Sequence, residues 1–499
     1  CSCNHWLLTE LLREQWGFKG FVVSDYNAIE ETIHHGAAED LIQAGVQALN
    51  AGLDMDMVSN ALPALTPAID DGRVSQAALD QACRRILEAK YDLGLFADPY
   101  RYCDSTRRAS DIFTSENRHE ARQIAREAIV LLKNDNNLLP LSKQGTIALI
   151  GPLADVKTNM AGTWSVVARH NDYKTIREGL TDALQGKAEL LYAKGCNLMY
   201  AAEAEQRATP GKHAMRDSRS EQEMRNEALA IAKRADVIVL AMGEASEMSG
   251  EASCYVNLEM PDAQRDLMHE LAGLGKPMVL LHVAGRPTVM NWETEHLPAI
   301  LETWFLGSEG ADAIADVLFG DYAPSGRLSV QMPRHVGQLP FSYRHFSTGR
   351  PMEGDGYDPY SSCYQDVPNT PLYPFGYGLT YTEFAYSEPV VSDTIMTEKD
   401  TLTLRVKVTN TGKRPAKETV QLYIQDVTAT CARPTIELRG FQQIELQPEE
   451  TQEVQLQIHK DVLAYYNAQQ QWIAEPGLFK LMVGHDSRHV STINIWLKR

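Results

Sequence analysis

The sequence predicts an α/β protein with an all-β C-terminal part, and three patterns along the chain carry this prediction. Over residues 1–100, short apolar runs alternate with segments of helical periodicity. A second stretch of the same kind extends to about residue 330. From Thr401 onward, apolar residues alternate strictly with polar ones, which is typical of antiparallel strands. A chain of 499 residues has the length of about three domains.

The first hundred residues contain two predicted βα units. Phe18–Asp25 (FKGFVVSD) is a short apolar run that ends in polar residues, as a buried parallel strand does. Gly52–Met57 is a second strand, and the helical stretch that follows it is interrupted near Asp71. Two such units cannot close a (β/α)8 barrel, which needs eight. Asp25 lies at the C-terminal end of its strand, where barrel enzymes keep their catalytic groups.

A polar linker, residues 101–125, leads to the second α/β region, residues 126–335. Ser115 can cap a helix that is predicted to continue through Asn134. Helical segments then separate four apolar runs, which predicts a sheet covered on both faces. These runs are Thr146–Ile150, Asp236–Ala241, Pro277–Val283 and Ala299–Trp304. Neither GxGxxG nor GxxxxGK(S/T) occurs, so nucleotide binding has no support.

The last third of the chain changes character twice. Residues 336–390 are rich in Pro, Gly and Tyr and predict an ordered connecting segment. Residues 391–499 predict an antiparallel β-sandwich from several short alternating strands. The apolar positions that define these strands are Leu402, Leu404, Val406, Val408, Val420, Leu422, Ile424, Val454, Leu456 and Ile458.

Composition excludes several classes of function. The formal net charge of −19 argues against nucleic acid as a partner, because a phosphate binder needs a basic face. No run of about 20 apolar residues occurs, so no membrane span is predicted. The eight cysteines form no CxxC pair, which argues against a zinc ribbon or a thioredoxin-like site.

Two sets of carboxylates are candidates for chemistry. One is Asp25, for which a helix N-cap or a loop acceptor is the simpler interpretation. The other is the loop Gly243–Pro261, which follows an apolar strand and carries Glu244, Glu247, Glu251 and Glu259. Gly243 and Gly250 would allow unusual backbone angles in that loop. A solvated acidic loop is the simpler interpretation, and nothing local selects one glutamate. Two carboxylates on separate elements are nevertheless what glycoside hydrolysis requires.

Several ordered motifs together resemble glycoside hydrolase family 3. KGFVVSDYNAIEETIHHG resembles the family's nucleophile region, and MSGEAS resembles the loop of its second domain that supplies the acid/base. AGRP, the stretch from Glu302 to Arg334, and LYPFGYGLTYTEF resemble later landmarks whose roles look architectural. VTNTGKRPAKETVQLYIQD and ELRGF resemble its C-terminal fibronectin type III-like domain. The resemblance implies that Asp25 is the nucleophile and Glu251 the acid/base.

The resemblance also implies an architecture and an activity. Residues 1–100 would be the last two βα units of a (β/α)8 barrel, and residues 391–499 the fibronectin type III-like sandwich. The family's barrel groups that grip sugar hydroxyls come from earlier strands, which are not found in this sequence. The implied activity is that of a retaining exo-β-glucosidase, which acts on oligosaccharides or on aryl and alkyl β-glucosides without a cofactor or metal. Resemblance to the family's bacterial periplasmic β-glucosidases implies a periplasmic or secreted location.

Two alternatives stay open at this point. The chain could be a β-xylosidase or another exo-β-glycosidase of the same family, or a catalytically incomplete, non-enzymatic fragment. A homodimer is compatible with the sequence. Tyr26, next to the nucleophile, and Trp164, in AGTWS, are the candidate substrate-binding residues. Asp54, on the second strand, is predicted to be a structural hydrogen-bond acceptor.

Overall fold

The computed structural model of the protein describes residues 1–165, 167–209, 216–352 and 354–499. The chain divides into two compact units, unit 1 (Cys1–Thr114) and unit 2 (Ser115–Arg499). Within the described ranges, none of the helices combines the length and the apolar surface that a bilayer crossing needs.

Unit 1 is built on two short parallel strands, β1 (Val23–Tyr26) and β2 (Met55–Met57). Its helices are a π-helical segment Trp6–Gln15, α1 (Glu31–His34), α2 (Leu41–Ala51), a 3₁₀ turn Pro63–Leu65, α3 (Thr66–Asp70), α4 (Gln76–Asp92) and α5 (Arg107–Asp111). The predicted parallel pairing is confirmed, and so is the predicted break in the second helical stretch. The prediction of a buried strand over Phe18–Asp25 is wrong, since β1 begins at Val23 and Ser24 is its one buried residue. Alanines of α2 pack with Ile29 and Leu53 to form the core between the helices and the strands.

The carboxylate of Asp54 connects three segments of unit 1. Its side chain is 1% exposed and accepts from Arg13 Nη2 at 2.5 Å and from Arg85 Nη1 at 2.8 Å. The Val22 N–H donates to the same carboxylate at 2.8 Å. The prediction that Asp54 is a structural acceptor is therefore confirmed, and the residue joins the π-helical segment, α4 and the entrance to β1.

Replacing Asp54 by Ala is expected to destabilise unit 1 by about 3–5 kcal/mol, because Arg13 would remain buried without its counter-charge. The free energy of opening can be read from urea-dependent hydrogen exchange of the α2 amides. Asp71→Asn is the matched control, since the Asp71–Arg73 pair is exposed on both sides. Equal opening free energies in wild type and Asp54→Ala would contradict the expectation.

Unit 2 contains a six-stranded sheet with helices on both faces. Its strands are β3 (Val130–Asn134), β4 (Thr146–Ile150), β5 (Glu189–Ala193), β6 (Val237–Gly243), β7 (Met278–Val283) and β8 (Ala299–Glu302), in the spatial order β3-β8-β7-β6-β4-β5. Its helices are α6 (Ser115–Ala128), α7 (Ile176–Leu184), α8 (Ala202–Ala208), α9 (Glu221–Arg234), α10 (Asp262–Ala272), α11 (Asn291–His296) and α12 (Gly310–Phe319). Helices α6, α7 and α12 cover one face, and α9 and α10 cover the other. The four predicted strands are confirmed.

The predicted helix from Ser115 through Asn134 is wrong in its last six residues. Helix α6 ends at Ala128, and residues 130–134 form β3, which pairs antiparallel with β8. The first three residues of β3 are buried and pack on both faces of the sheet, which a continued amphipathic helix could not do. Strand β5 at the opposite edge was not predicted.

The C-terminal part of unit 2 is a two-sheet β-sandwich, as predicted. One sheet holds β9 (Phe384–Tyr386), β10 (Val390–Val391), β12 (Leu402–Asn410) and β15 (Thr451–Ile458). The other has the order β11-β19-β18-β13-β14, formed by β11 (Ile395–Thr397), β13 (Ala416–Asp426), β14 (Glu437–Leu446), β18 (Gly477–Gly484) and β19 (Val490–Lys498). Short elements complete it: α13 (Lys460–Leu463), β16 (Tyr465–Tyr466) and β17 (Trp472–Ile473). Alternate residues of both sheets fill one core.

Candidate active site

The carboxyl end of β1 presents Asp25 and Tyr26 to solvent. Ser24 is buried, and its Oγ accepts the Met57 N–H at 2.8 Å, which ties β1 to β2. Asp25 is exposed, and its Oδ1 accepts the Tyr26 N–H at 2.7 Å. Asn27 then turns the chain with a left-handed φ of 56°. Among the described residues nothing donates to Asp25 Oδ2, so this oxygen is available to a ligand.

The loop that carries Glu251 leaves the sheet at Gly243, the last residue of β6. There φ is 135°, and an added Cβ would lie 2.0 Å from the Val283 carbonyl oxygen, so glycine is required for conformation and for space. Gly250 does not use this freedom, since its φ is −84°. The left-handed residue of the loop is Ala252, with φ 57°. It directly follows Glu251 and turns the chain there.

Two of the four glutamates in this loop are held by arginines. Glu244 is buried, and its Oε2 accepts from Arg286 Nε at 3.1 Å. Burial raises the pKa of Glu244, and the guanidinium of Arg286 opposes that shift. Glu259 forms an ion pair with Arg265. Both carboxylates are therefore committed to contacts within unit 2.

The other two glutamates differ in burial and in the hydrogen bonds that their carboxylates accept. Glu247 is partly buried and accepts from Ser246 Oγ at 2.9 Å. Glu251 is exposed, and no described residue donates to its carboxylate. The surroundings thus distinguish Glu251 from its three neighbours, which the local sequence did not do.

Glu251 lies at a cleft of about 1040 Å³ in unit 2. Trp164 lines the same cleft, has a left-handed φ of 64°, and is 71% exposed. Other residues around the cleft are Thr158, His170, Arg207, Glu247, Cys254 and Tyr255. An exposed aromatic ring in the same cleft as an accessible carboxylate is suited to a ligand with apolar faces and a protonatable oxygen. Unit 2 therefore brings together two of the four predicted site residues, and unit 1 places Asp25 and Tyr26 side by side.

Sequence reasoning missed the contribution of Arg286. The AGRP motif was assigned an architectural role, yet its arginine reaches the backbone of the Glu251 loop, with Nη1 donating to the Ser253 carbonyl at 3.2 Å. One feature of the sequence could have indicated this contact: the motif directly follows an apolar strand of the same sheet.

Within the described ranges, no group of three or more His, Cys, Asp or Glu side chains is arranged to hold a metal ion.

Comparison with known protein families matches three segments of the chain. Residues 129–381 match the Glycosyl hydrolase family 3 C-terminal domain. Residues 1–89 match the Glycosyl hydrolase family 3 N terminal domain, and residues 418–487 match the Fibronectin type III-like domain.

Individual proteins with similar sequences or structures agree with these matches. The chain is 45% identical to the periplasmic β-glucosidase of Salmonella typhimurium, over 98% of this chain and 65% of that protein. It is 36% identical to a β-xylosidase of Formosa agariphila, over 100% of this chain and 67% of that protein. A crystal structure of the Listeria innocua β-glucosidase with isofagomine superimposes with a TM-score of 0.89 at 34% identity, covering 99% of this chain and 66% of that one. The chain thus spans about two thirds of the length of these proteins.

Proposed function

Because this chain belongs to glycosyl hydrolase family 3, we propose that it acts as a retaining, exo-acting β-glucosidase on terminal non-reducing β-D-glucosyl residues. The observation that carries the proposal is the environment of Glu251. Its carboxylate is exposed, has no donor among the described residues, and lies at a cleft shared with Trp164. Asp25, exposed at the carboxyl end of β1, supplies the second carboxylate.

In the proposed mechanism the two carboxylates have different tasks. Asp25 attacks the anomeric carbon while Glu251 gives a proton to the departing glycosidic oxygen, which yields a glycosyl-enzyme and a free alcohol. Glu251 then takes a proton from water, whose oxygen attacks the same carbon and releases Asp25. Two inversions leave the anomeric configuration unchanged. The mechanism requires the carboxyl groups to approach within about 5–5.5 Å, and it needs no cofactor.

Aromatic side chains on the two units would contact the sugar. Tyr26 is 66% exposed next to Asp25 and offers its ring to the glucosyl residue being transferred. Trp164 lines the cleft at which Glu251 lies and is proposed to contact the departing group. Sugar C–H groups pack well on such ring faces, so both residues are proposed as substrate-binding residues.

A second candidate is β-xylosidase activity, which the Formosa agariphila relative favours. Glucosides and xylosides differ by one hydroxymethyl group, so the two candidates are separated by kcat/KM on p-nitrophenyl β-glucoside and β-xyloside. We expect the glucoside to be the better substrate. Faster hydrolysis of the xyloside would favour the second candidate.

The assay has to take account of the small number of barrel strands in unit 1. Unit 1 contains two strands, whereas a (β/α)8 barrel has eight, and earlier strands of family 3 barrels carry sugar-gripping groups. Hydrolysis is therefore measured on this chain and on the chain fused behind the preceding βα units of a family member. No release of nitrophenol by either protein would favour the non-enzymatic alternative.

Similarity to the Salmonella typhimurium protein supports a periplasmic or secreted location.

A further inference from the structure

Arg286 lies beside the root of the Glu251 loop. It follows β7, which pairs in parallel with β6, the strand that leads into the loop. Because the carboxyl ends of neighbouring parallel strands meet at one edge, Arg286 and the loop share that edge of the sheet. Its side chain is 18% exposed, so most of the side-chain surface faces protein.

The guanidinium contacts the loop on both sides of Glu251. Nε donates to Glu244 Oε2 at 3.1 Å, at the start of the loop. Nη1 donates to the Ser253 carbonyl oxygen at 3.2 Å, two residues beyond Glu251. Cζ lies 5.0 Å from the centre of the Tyr255 ring, within range of a cation–π contact. One planar group therefore connects Glu244, at the buried start of the loop, to Ser253 and Tyr255 in its tip, residues 250–257.

Few hydrogen bonds tie residues 250–257 to the rest of unit 2, although the Tyr255 ring also packs against the core of the sheet. Ser253 Oγ donates to the Glu247 carbonyl at 2.7 Å, but that bond lies inside the loop. Among the described residues, Arg286 is the one outside the loop that forms hydrogen bonds to residues 250–257. These residues form no helix or strand, and Val256 is 90% exposed. Segments with few anchoring bonds open locally at low free energy.

We propose that Arg286 is a positioning residue for the acid/base: it clamps Glu244, Ser253 and Tyr255 and so holds the Glu251 carboxylate in place. The inference rests on the proposed function, because it assumes that Glu251 delivers a proton. Proton transfer depends on a donor held within hydrogen-bond reach of the departing oxygen. Arg286 touches neither substrate nor reacting atoms in this role.

The test compares Arg286→Ala and Arg286→Lys with wild type by two measurements. Hydrogen exchange of the amides of residues 250–257 is expected to accelerate roughly 10-fold or more in Arg286→Ala, because the anchoring bond is lost. Lysine keeps the charge beside Glu244 but lacks the planar fork that places separate nitrogens on Glu244 and Ser253, so Arg286→Lys is expected to lie between wild type and the Ala variant.

The second measurement is the dependence of kcat/KM on the leaving group. An alkyl β-glucoside needs a proton from the acid, whereas a 2,4-dinitrophenyl β-glucoside leaves without one. Arg286→Ala should lower kcat/KM for the alkyl glucoside by roughly 100-fold, the scale of a misplaced catalytic group, and leave the dinitrophenyl substrate within about 3-fold. Arg225→Ala is the matched control: Arg225 is 21% exposed and pairs with Glu270 on the helical layer at 3.2 Å. It should change neither measurement.

The outcomes separate the inference from the function it rests on. Glu251→Gln is measured in parallel, and absence of leaving-group dependence in that variant would overturn the proposed function and the positioning role with it. If Glu251→Gln shows the dependence while Arg286→Ala slows both substrates equally, or leaves loop exchange unchanged, the positioning role alone is overturned. If Arg286→Ala fails to fold, Arg286→Lys carries the same two measurements.

Discussion

Replacing Asp25 by Asn is expected to lower kcat/KM for aryl β-glucosides by roughly 10⁵-fold, the scale of losses when an enzymatic nucleophile is removed. The amide has the shape of the carboxylate but does not attack an anomeric carbon. Because Asp25 is exposed and its Oδ1 bonds only to the Tyr26 N–H among the described residues, the fold should be unaffected. Initial rates of nitrophenol release measure the effect.

A stereochemical experiment makes this expectation sharper. In Asp25→Gly, sodium azide can enter the space of the lost carboxylate and attack the substrate directly. A single inversion then produces the α-glucosyl azide, which proton NMR identifies by the coupling of the anomeric hydrogen. Asp80→Asn, an exposed carboxylate on α4, is the control and should retain full activity. Full activity in Asp25→Asn would contradict the assignment of the nucleophile.

Replacing Glu251 by Gln is expected to lower kcat/KM for alkyl β-glucosides by roughly 10²–10⁴-fold, the usual contribution of a general acid. For a 2,4-dinitrophenyl glucoside the same variant should keep kcat/KM within about 10-fold, because this leaving group needs no proton. Its kcat should nevertheless fall, since the glycosyl-enzyme then waits for water without a general base. Steady-state kinetics on the two substrates measure both effects.

The product formed with azide distinguishes Glu251→Gln from the nucleophile variant Asp25→Gly. Azide needs no base, so it should restore turnover of the dinitrophenyl substrate by Glu251→Gln and release the β-glucosyl azide after two inversions. Glu259→Gln is the matched control in the same loop, because Glu259 is paired with Arg265. Equal losses on both substrates, or the same behaviour in Glu259→Gln, would show that Glu251 is not the acid.

The sequence predicted those parts of the fold whose pattern is local. Strands β4, β6, β7 and β8 are short apolar runs that lie between helices, and strict alternation marks β12. The run Ile129–Leu132 was misassigned, because its apolar residues continue the spacing of the preceding helix. Pairing with β8, more than 160 residues further on, makes it a strand. Strand β5 was missed because it is an edge strand with half-buried residues.

In the candidate site, too, local motifs could be read from the sequence, whereas contacts between distant residues could not. Asp25 and Glu251 became candidates because each belongs to a short motif with a family resemblance, and Trp164 because it follows the first strand of the second α/β region. The choice of Glu251 over Glu244 could not be made from the residues alone. The partner of Glu244 is Arg286, which lies 42 residues away and meets it only in the folded sheet. For the same reason the contact of Arg286 with the loop was not predicted.

The most direct test of the central claim is covalent trapping with 2-deoxy-2-fluoro-β-D-glucosyl fluoride. The fluorine at C2 slows both chemical steps while the good leaving group allows the first, so a glycosyl-enzyme accumulates on the nucleophile. Peptide mass spectrometry of this chain and of its barrel-completed fusion should find one fluoroglucosyl group, on Asp25, and none in Asp25→Asn. A label on another carboxylate, or glucoside hydrolysis by the fusion without any label, would contradict a retaining mechanism through Asp25.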